Sequence, residues 1–191
     1  MARYIPSLLL GLLLVTTACE RPTPPASGLE KGAYNLSAYL QQQKTRLQQE
    51  QPMVLKSVKT ENAPVETIET AEVDWTDELS MFDDLDLNKP TLQEYYTRTD
   101  SILSDGSTAI HYIRHEDAEA PVLYLRLLLS PSQHLARLQA LVKDQNVLFF
   151  TRRKLQLTAD PSNGNLSSYR VEGAQKLVFG DTLNYRVDAT L

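Results

Sequence analysis

The sequence holds one cysteine in 191 residues, so no internal disulfide can form and a disulfide-built scaffold is excluded. Three histidines beside that lone thiol leave few ligands for zinc chemistry. Seven glycines and ten prolines, scattered without a period, exclude collagen and low-complexity polymers. There is no basic excess: 19 Lys+Arg stand against 24 Asp+Glu, a formal charge of −5, which gives no electrostatic reason to approach nucleic acid. No Gly-rich phosphate loop, Gly-x-Ser-x-Gly elbow or Cys/His nucleophile pair occurs. Carboxylates are abundant, but no spacing shows two of them converging with separated pKa values, so the chain reads as non-enzymatic and without a cofactor. The longest apolar run, residues 8–15, is eight residues, against about 20 needed to cross a bilayer. The remaining composition, 42% hydrophobic and 23% charged, is that of one globular domain.

The amino terminus reads as an address. Arg3, the run Leu8-Leu9-Leu10-Gly11-Leu12-Leu13-Leu14-Val15 and the small residues Thr16-Thr17-Ala18 form the three parts of a secretory signal. Cys19 stands at the cleavage point, and Thr16-Thr17-Ala18-Cys19 resembles the lipobox of bacterial lipoproteins, although Thr16 departs from the usual Leu. That resemblance implies a signal peptide over residues 1–18, removal of it, and lipid attachment at the Cys19 sulfur with palmitate-like chains. Two or three acyl chains hold a protein on a membrane far more firmly than one, at about 0.8 kcal/mol per buried methylene. Residues 19–34 follow as the lipidated cysteine and a Pro-rich tether, and at about 3.3 Å per residue the stretch 20–34 extends up to roughly 50 Å.

Residues 35–191 read as a single α+β domain. Leu36, Leu40, Gln43 and Leu47 recur at helical spacing, with Asn35 as cap and Pro52 beyond, predicting a helix over 35–49. Trp75, Leu79 and Phe82 at the same spacing, after Asp74, predict a shorter helix over 75–85 and a structural staple to a sheet. The carboxyl half then changes period to two, most clearly in residues 183–191, where apolar and polar positions alternate without a break. Further strands are predicted at 108–114, 122–129, 136–143, 154–158 and 166–179, the last with a bulge at Gly173. Asn163-Gly164 predicts a tight hairpin turn with positive φ at both residues. The expected fold is therefore an antiparallel β meander of about six strands, with one long and one short N-terminal helix packed on one face.

Charge is unevenly distributed. Ten acids and no base lie between Lys59 and Lys89, giving residues 20–105 a net charge of −8 and residues 106–191 one of +2. The acidic stretch reads as a solvated face complementing the chain's own basic half. On the sheet face away from the helices, the alternation would place Arg126, Arg137, Lys154, Arg170 and Arg186, a stripe either solvated or able to grip an anionic partner. His111 and His115, four apart, lie about 13 Å from each other on a strand and cannot share one metal ion. Asp84-Leu85-Asp86-Leu87-Asn88 opens like a calcium loop, but Lys89 replaces the turn glycine and Tyr95 the closing glutamate.

The lipobox, the segment Asp74-Trp75-Thr76-Asp77-Glu78-Leu79 with Phe82 and Asp86-Leu87-Asn88-Lys89, and the late Tyr169-Arg170-Val171-Glu172-Gly173-Ala174-Gln175-Lys176 together resemble a group of uncharacterised lipoproteins from Bacteroidetes. The resemblance implies an envelope lipoprotein and no activity. In outline, a helix-covered antiparallel sheet also resembles the lipid carriers of lipoprotein sorting. Two functions are therefore expected. The first is an accessory or adaptor protein held at the envelope, in the outer membrane facing the periplasm, with a protein partner. The second is a carrier sheltering a small apolar ligand between sheet and helices, where Ala136, Ala140 and Ala189 leave space.

Overall fold

The computed structural model describes residues 32–61, 63–177 and 180–191. Its first element, α1 (Leu36–Glu50), is stapled at both ends. The Asn35 side chain accepts from Ala38 N at 3.0 Å, satisfying one orphan amide of the first turn. At the far end Gln51 turns left-handed (φ 44°) and returns its N–H to Leu47 O, and Pro52 bars continuation.

Among the described residues nine strands follow, all antiparallel in one sheet: β1 (Val54–Thr60), β2 (Glu66–Thr70), β3 (Tyr96–Ile102), β4 (Thr108–Arg114), β5 (Val122–Leu129), β6 (Leu135–Gln145), β7 (Phe149–Ala159), β8 (Leu166–Leu177) and β9 (Thr182–Thr190). The expectation of about six strands is thus too low. The three unforeseen ones, β1, β2 and β3, bury few side chains, and β2 buries none, so no alternating apolar pattern marks them. Strands β3 to β9 form a simple meander, while β1 and β2 add beyond β9, giving the order β2-β1-β9-β8-β7-β6-β5-β4-β3.

The link from β2 to β3 therefore joins opposite edges, eight strand spacings or roughly 38 Å apart. It carries Trp75, Leu79, Phe82, Leu85 and Leu87, all buried in one cluster with the inward residues of the strands and with Leu36, Leu40 and Leu47 of α1. Phe82 meets Tyr169 of β8 edge-on, ring centroids 6.1 Å apart. The single helix expected over 75–85 is instead two short turns, α2 (Trp75–Glu78) and α3 (Ser80–Asp83), separated where Leu79 leaves helical geometry at ψ 3°. Asp74 caps the first by accepting from Thr76 N and Asp77 N.

Polar clamps hold these turns. Lys44 of α1 donates to both Asp83 oxygens, at 2.9 and 2.7 Å. Glu78 receives Lys56 of β1 at 2.7 and 2.9 Å and the Tyr169 hydroxyl of β8. Residues 32–34, expected to belong to the tether, are bonded to the fold: Gly32 O accepts from Arg98, Ala33 N donates to Asn88 Oδ1, and Tyr34 N donates to the Tyr112 hydroxyl.

Two local expectations are corrected. Strand β8 passes Gly173 in unbroken register with both neighbours, so there is no bulge there. Glycine is required because a Cβ would stand 2.2–2.4 Å from ring atoms of the paired Tyr185, which lies across it. Register shifts occur instead at Val122/Tyr124, Leu128/Leu129 and Thr158/Ala159. At Asn163-Gly164 only the glycine has positive φ (78°), because Asp160 closes a wider loop by accepting from Gly164 N at 2.7 Å and donating to Asn165 O at 2.8 Å.

Candidate partner-binding face

Side-chain alternation determines what each face of the sheet carries. In β5 to β8 the buried residues Leu125, Leu127, Leu138, Ala140, Leu155, Leu157, Tyr169 and Val171 turn one way, so their sequence neighbours emerge on the other side. Strand register then aligns those neighbours. Arg126 pairs with Gln139, Gln139 with Gln156, Gln156 with Arg170, and Arg170 with Asp188. Four steps of about 4.8 Å make a polar row roughly 19 Å long across five strands.

The five cations singled out from sequence are all exposed on this face, but they do not form one stripe. Arg126 and Arg170 share the row just described. Lys154 and Arg186 lie in the next, with Glu172 between them in register, and Arg137 lies on the other side, paired to Thr158. The outer surface is hollowed beside the row. A depression of about 330 Å³ is lined by Arg137, Gln139, Gln156, Ser168, Arg170 and Asp188, among others. A second of about 240 Å³ shares Arg137 and Gln139 and extends to Arg126 and His111.

The cations differ in what they already hold. Asp188 accepts from Arg170 Nε and forms an ion pair with Arg186, whose Nε lies 2.9 Å away, bracing both guanidinium groups. Arg126 lies over the Tyr124 ring, 4.9 Å from its centroid. Arg137 and Lys154 have no ion pair among the described residues. Guanidinium groups bind carboxylates and phosphates with a two-pronged fork, and neighbouring amides add neutral donors. Gln139, Gln156 and Asp188 were not picked out from sequence, although the same strand alternation places them here; only register shows that they stand side by side.

Elsewhere the structure places sequence features in ordinary roles. Trp75, Leu79 and Phe82 are fully buried. The acidic stretch makes three ion pairs among the described residues, and only Asp84 with Arg153 reaches the basic half, since Asp83 and Glu78 pair with Lys44 and Lys56. His115 is hydrogen-bonded to Thr97 at 2.9 Å, and no metal-capable cluster of three or more side chains occurs among the described residues. Within the calcium-like segment, Asp86 accepts from Asn88 N, and Asn88 grips Ala33 and Tyr34. The two depressions on the outer face have no residue of α1, α2 or α3 in their lining; Ala140 and Ala189 are buried and Ala136 half-buried.

Cys19 and the signal and tether before Gly32 lie outside the described residues. No described helix is long and apolar enough to cross a membrane. The chain matches no protein-family model, no curated protein and no solved structure.

Proposed function

We propose that the chain is a non-enzymatic accessory protein of the bacterial cell envelope, tied to the outer membrane through acyl chains on Cys19, and that it presents the outer face of its sheet to an anionic protein partner. One observation carries this reading: Arg126, Gln139, Gln156 and Arg170 stand in register beside two depressions that share Arg137, which has no ion pair among the described residues. Such a surface suits a partner whose carboxylates pair with the guanidinium groups while its other polar atoms meet the glutamines. On this reading the helices act as the permanent cover of the opposite, apolar face. The carrier alternative, with a small apolar ligand beneath them, is less favoured because Trp75, Phe82, Leu85 and Leu87 already occupy that layer and are inaccessible to solvent.

The test is photocrosslinking in the source cell from a reactive residue at Gln156, in the middle of the hollow. A discrete adduct that disappears with Arg137→Glu and Arg170→Glu is the expected result. An adduct indifferent to those charges, or none at all, would remove the basis for the adaptor role. Mass spectrometry of the same material reads the acyl mass on Cys19 separately.

A further inference from the structure

The hairpin joining β6 to β7 ends in a turn shaped by one side chain. Asn146 N donates to Phe149 O at 2.9 Å, and Asn146 Oδ1 accepts from Leu148 N at 2.8 Å and Phe149 N at 3.0 Å. The two apex residues are thereby held outward: Val147 is 88% exposed and Leu148 66%. Turn apices ordinarily carry small or polar residues, because an exposed aliphatic there contributes nothing to the core and orders water around it. Among the exposed large hydrophobic residues of the described chain, none is more exposed than Val147.

Polarity is graded from the apex inward along the β7 arm, while the β6 arm carries the polar Asn146, Gln145 and Asp144 beside it. Phe149 and Phe150 are half-buried just behind it. Deeper still, Lys143 places its ammonium 5.6 Å from the Phe150 ring centroid, and Arg152 is paired with Lys143 across the hairpin. Aliphatic tip, aromatic belt and snorkelling cations, in that order, match the change in polarity from acyl chains to headgroups in a bilayer.

We propose that the β6–β7 apex inserts Val147 and Leu148 into the interfacial layer of a phospholipid bilayer, a lipid contact separate from any acyl chain. The physiological membrane it would meet is the one implied by the Cys19 anchor, and to that extent the proposal rests on the envelope reading. The distances allow both contacts at once. Gly32 is fixed to Arg98 of β3, whose register runs through Tyr112 and Leu125 to Ala140. The apex lies seven residues beyond Ala140, roughly 24 Å along the strand. The 12 residues between Cys19 and Gly32 are enough to span at most about 40 Å, longer than that drop. Headgroup charge is not the driving term, because Asp144, one residue nearer the apex than Lys143, and Glu116, Asp117 and Glu119 of the adjacent β4–β5 connection offset the cations. Insertion should therefore occur on uncharged, zwitterionic lipid.

The test uses the full chain with Cys19→Ser, which removes the only native thiol, and Leu148→Cys to carry an environment-sensitive fluorophore. The vesicles contain phosphatidylcholine and phosphatidylethanolamine only. A matched chain carries the probe at Ser132, in the exposed turn between β5 and β6 at the opposite end of the sheet. With vesicles, the probe at 148 is expected to shift to the blue and to become several-fold less accessible to aqueous iodide, while the probe at 132 does not change. Adding Val147→Asp should abolish most of that protection. The proposal is overturned if the probe at 148 stays equally quenchable on vesicles that the chain has bound through its apolar N-terminal run, and equally if the chain stays in solution. An unmodified Cys19 in the host would sink the anchor and leave this result standing.

Discussion

The side-chain oxygen of Gln43, in the middle of α1, accepts the backbone N–H of Leu166 at the start of β8, at 2.9 Å. Gln43 is 2% exposed and also receives Arg46 Nε and Nη2, at 3.2 and 3.0 Å. The register shift at Thr158/Ala159 places one more residue in β8 than in β7 between paired positions, and this bond occupies the amide at its edge. Gln43→Leu keeps the helix and the volume but leaves the Leu166 amide buried without an acceptor, a cost of about 1–3 kcal/mol. Urea unfolding should show a lower midpoint for Gln43→Leu and a much smaller change for Gln43→Glu, which retains an acceptor oxygen. Equal losses in the two would show that the bond is not what matters.

Gly173→Ala is expected to destabilise only while Tyr185 is present. The new Cβ displaces the ring atoms it would meet at 2.2–2.4 Å, and the ring, being the end of a side chain, swings away and loses its packing, a cost of about 1–2 kcal/mol. In a Tyr185→Ala background the same substitution should be nearly neutral or stabilising, since alanine suits a strand better than glycine. The coupling read from this double-mutant cycle measures the ring-on-glycine contact; additive effects would refute it.

Glu78 links three elements by accepting from Lys56 of β1 and Tyr169 of β8 while sitting on α2. Glu78→Ala strands a half-buried ammonium and a buried phenol, so a loss of about 2–3 kcal/mol in thermal or chemical unfolding is expected. Tyr169→Phe should cost less, about 1 kcal/mol, because the carboxylate keeps its lysine.

Burial should also make the fold sensitive to alkali. Desolvation pushes the Tyr96 phenol up to about 12 and raises Tyr39 and Tyr169 further, the latter aided by Glu78. Phenols of the unfolded chain ionise near 10, whereas these stay neutral when folded. Above pH 10 the unfolded state alone releases protons, so their stabilising contribution, complete below pH 10, is lost as pH climbs toward and past 12. Urea midpoints should be level between pH 8 and 9.5 and fall steadily from about pH 10. Tyr39→Phe should flatten that fall, and at pH 8 it should be neutral or mildly stabilising, because the Tyr39 hydroxyl is buried with no hydrogen-bond partner among the described residues.

Much of this architecture is legible from the residues alone, for a physical reason. Strands β4 to β9 alternate because one face is buried and the other open, and α1 repeats Leu36, Leu40 and Leu47 because one stripe is buried. The elements that escape notice lack that contrast. Strand β2 buries nothing and is held by its ladder to β1, while β1 turns Lys56 toward Glu78 where an apolar residue would have signalled a strand. Trp75, Leu79 and Phe82 keep helical spacing even though the helix breaks between them, since two short turns present the same side chains. For the outer face, sequence reveals which side chains emerge, but the alignment of Arg126 with Arg170 depends on the pairing of four strands, which no local pattern encodes.

The pairing of β1 with β9 has a consequence for how the molecule comes into being. Residues 54–60 are synthesised early, yet their central neighbour comes more than a hundred positions later. Until that neighbour arrives, the β1–β2 ribbon has no lasting place, because an isolated two-stranded hairpin is marginal in water. Assembly must therefore wait on a distant encounter, which makes it slow, and leaves the early segments without a settled partner until the last strand of the sheet has emerged.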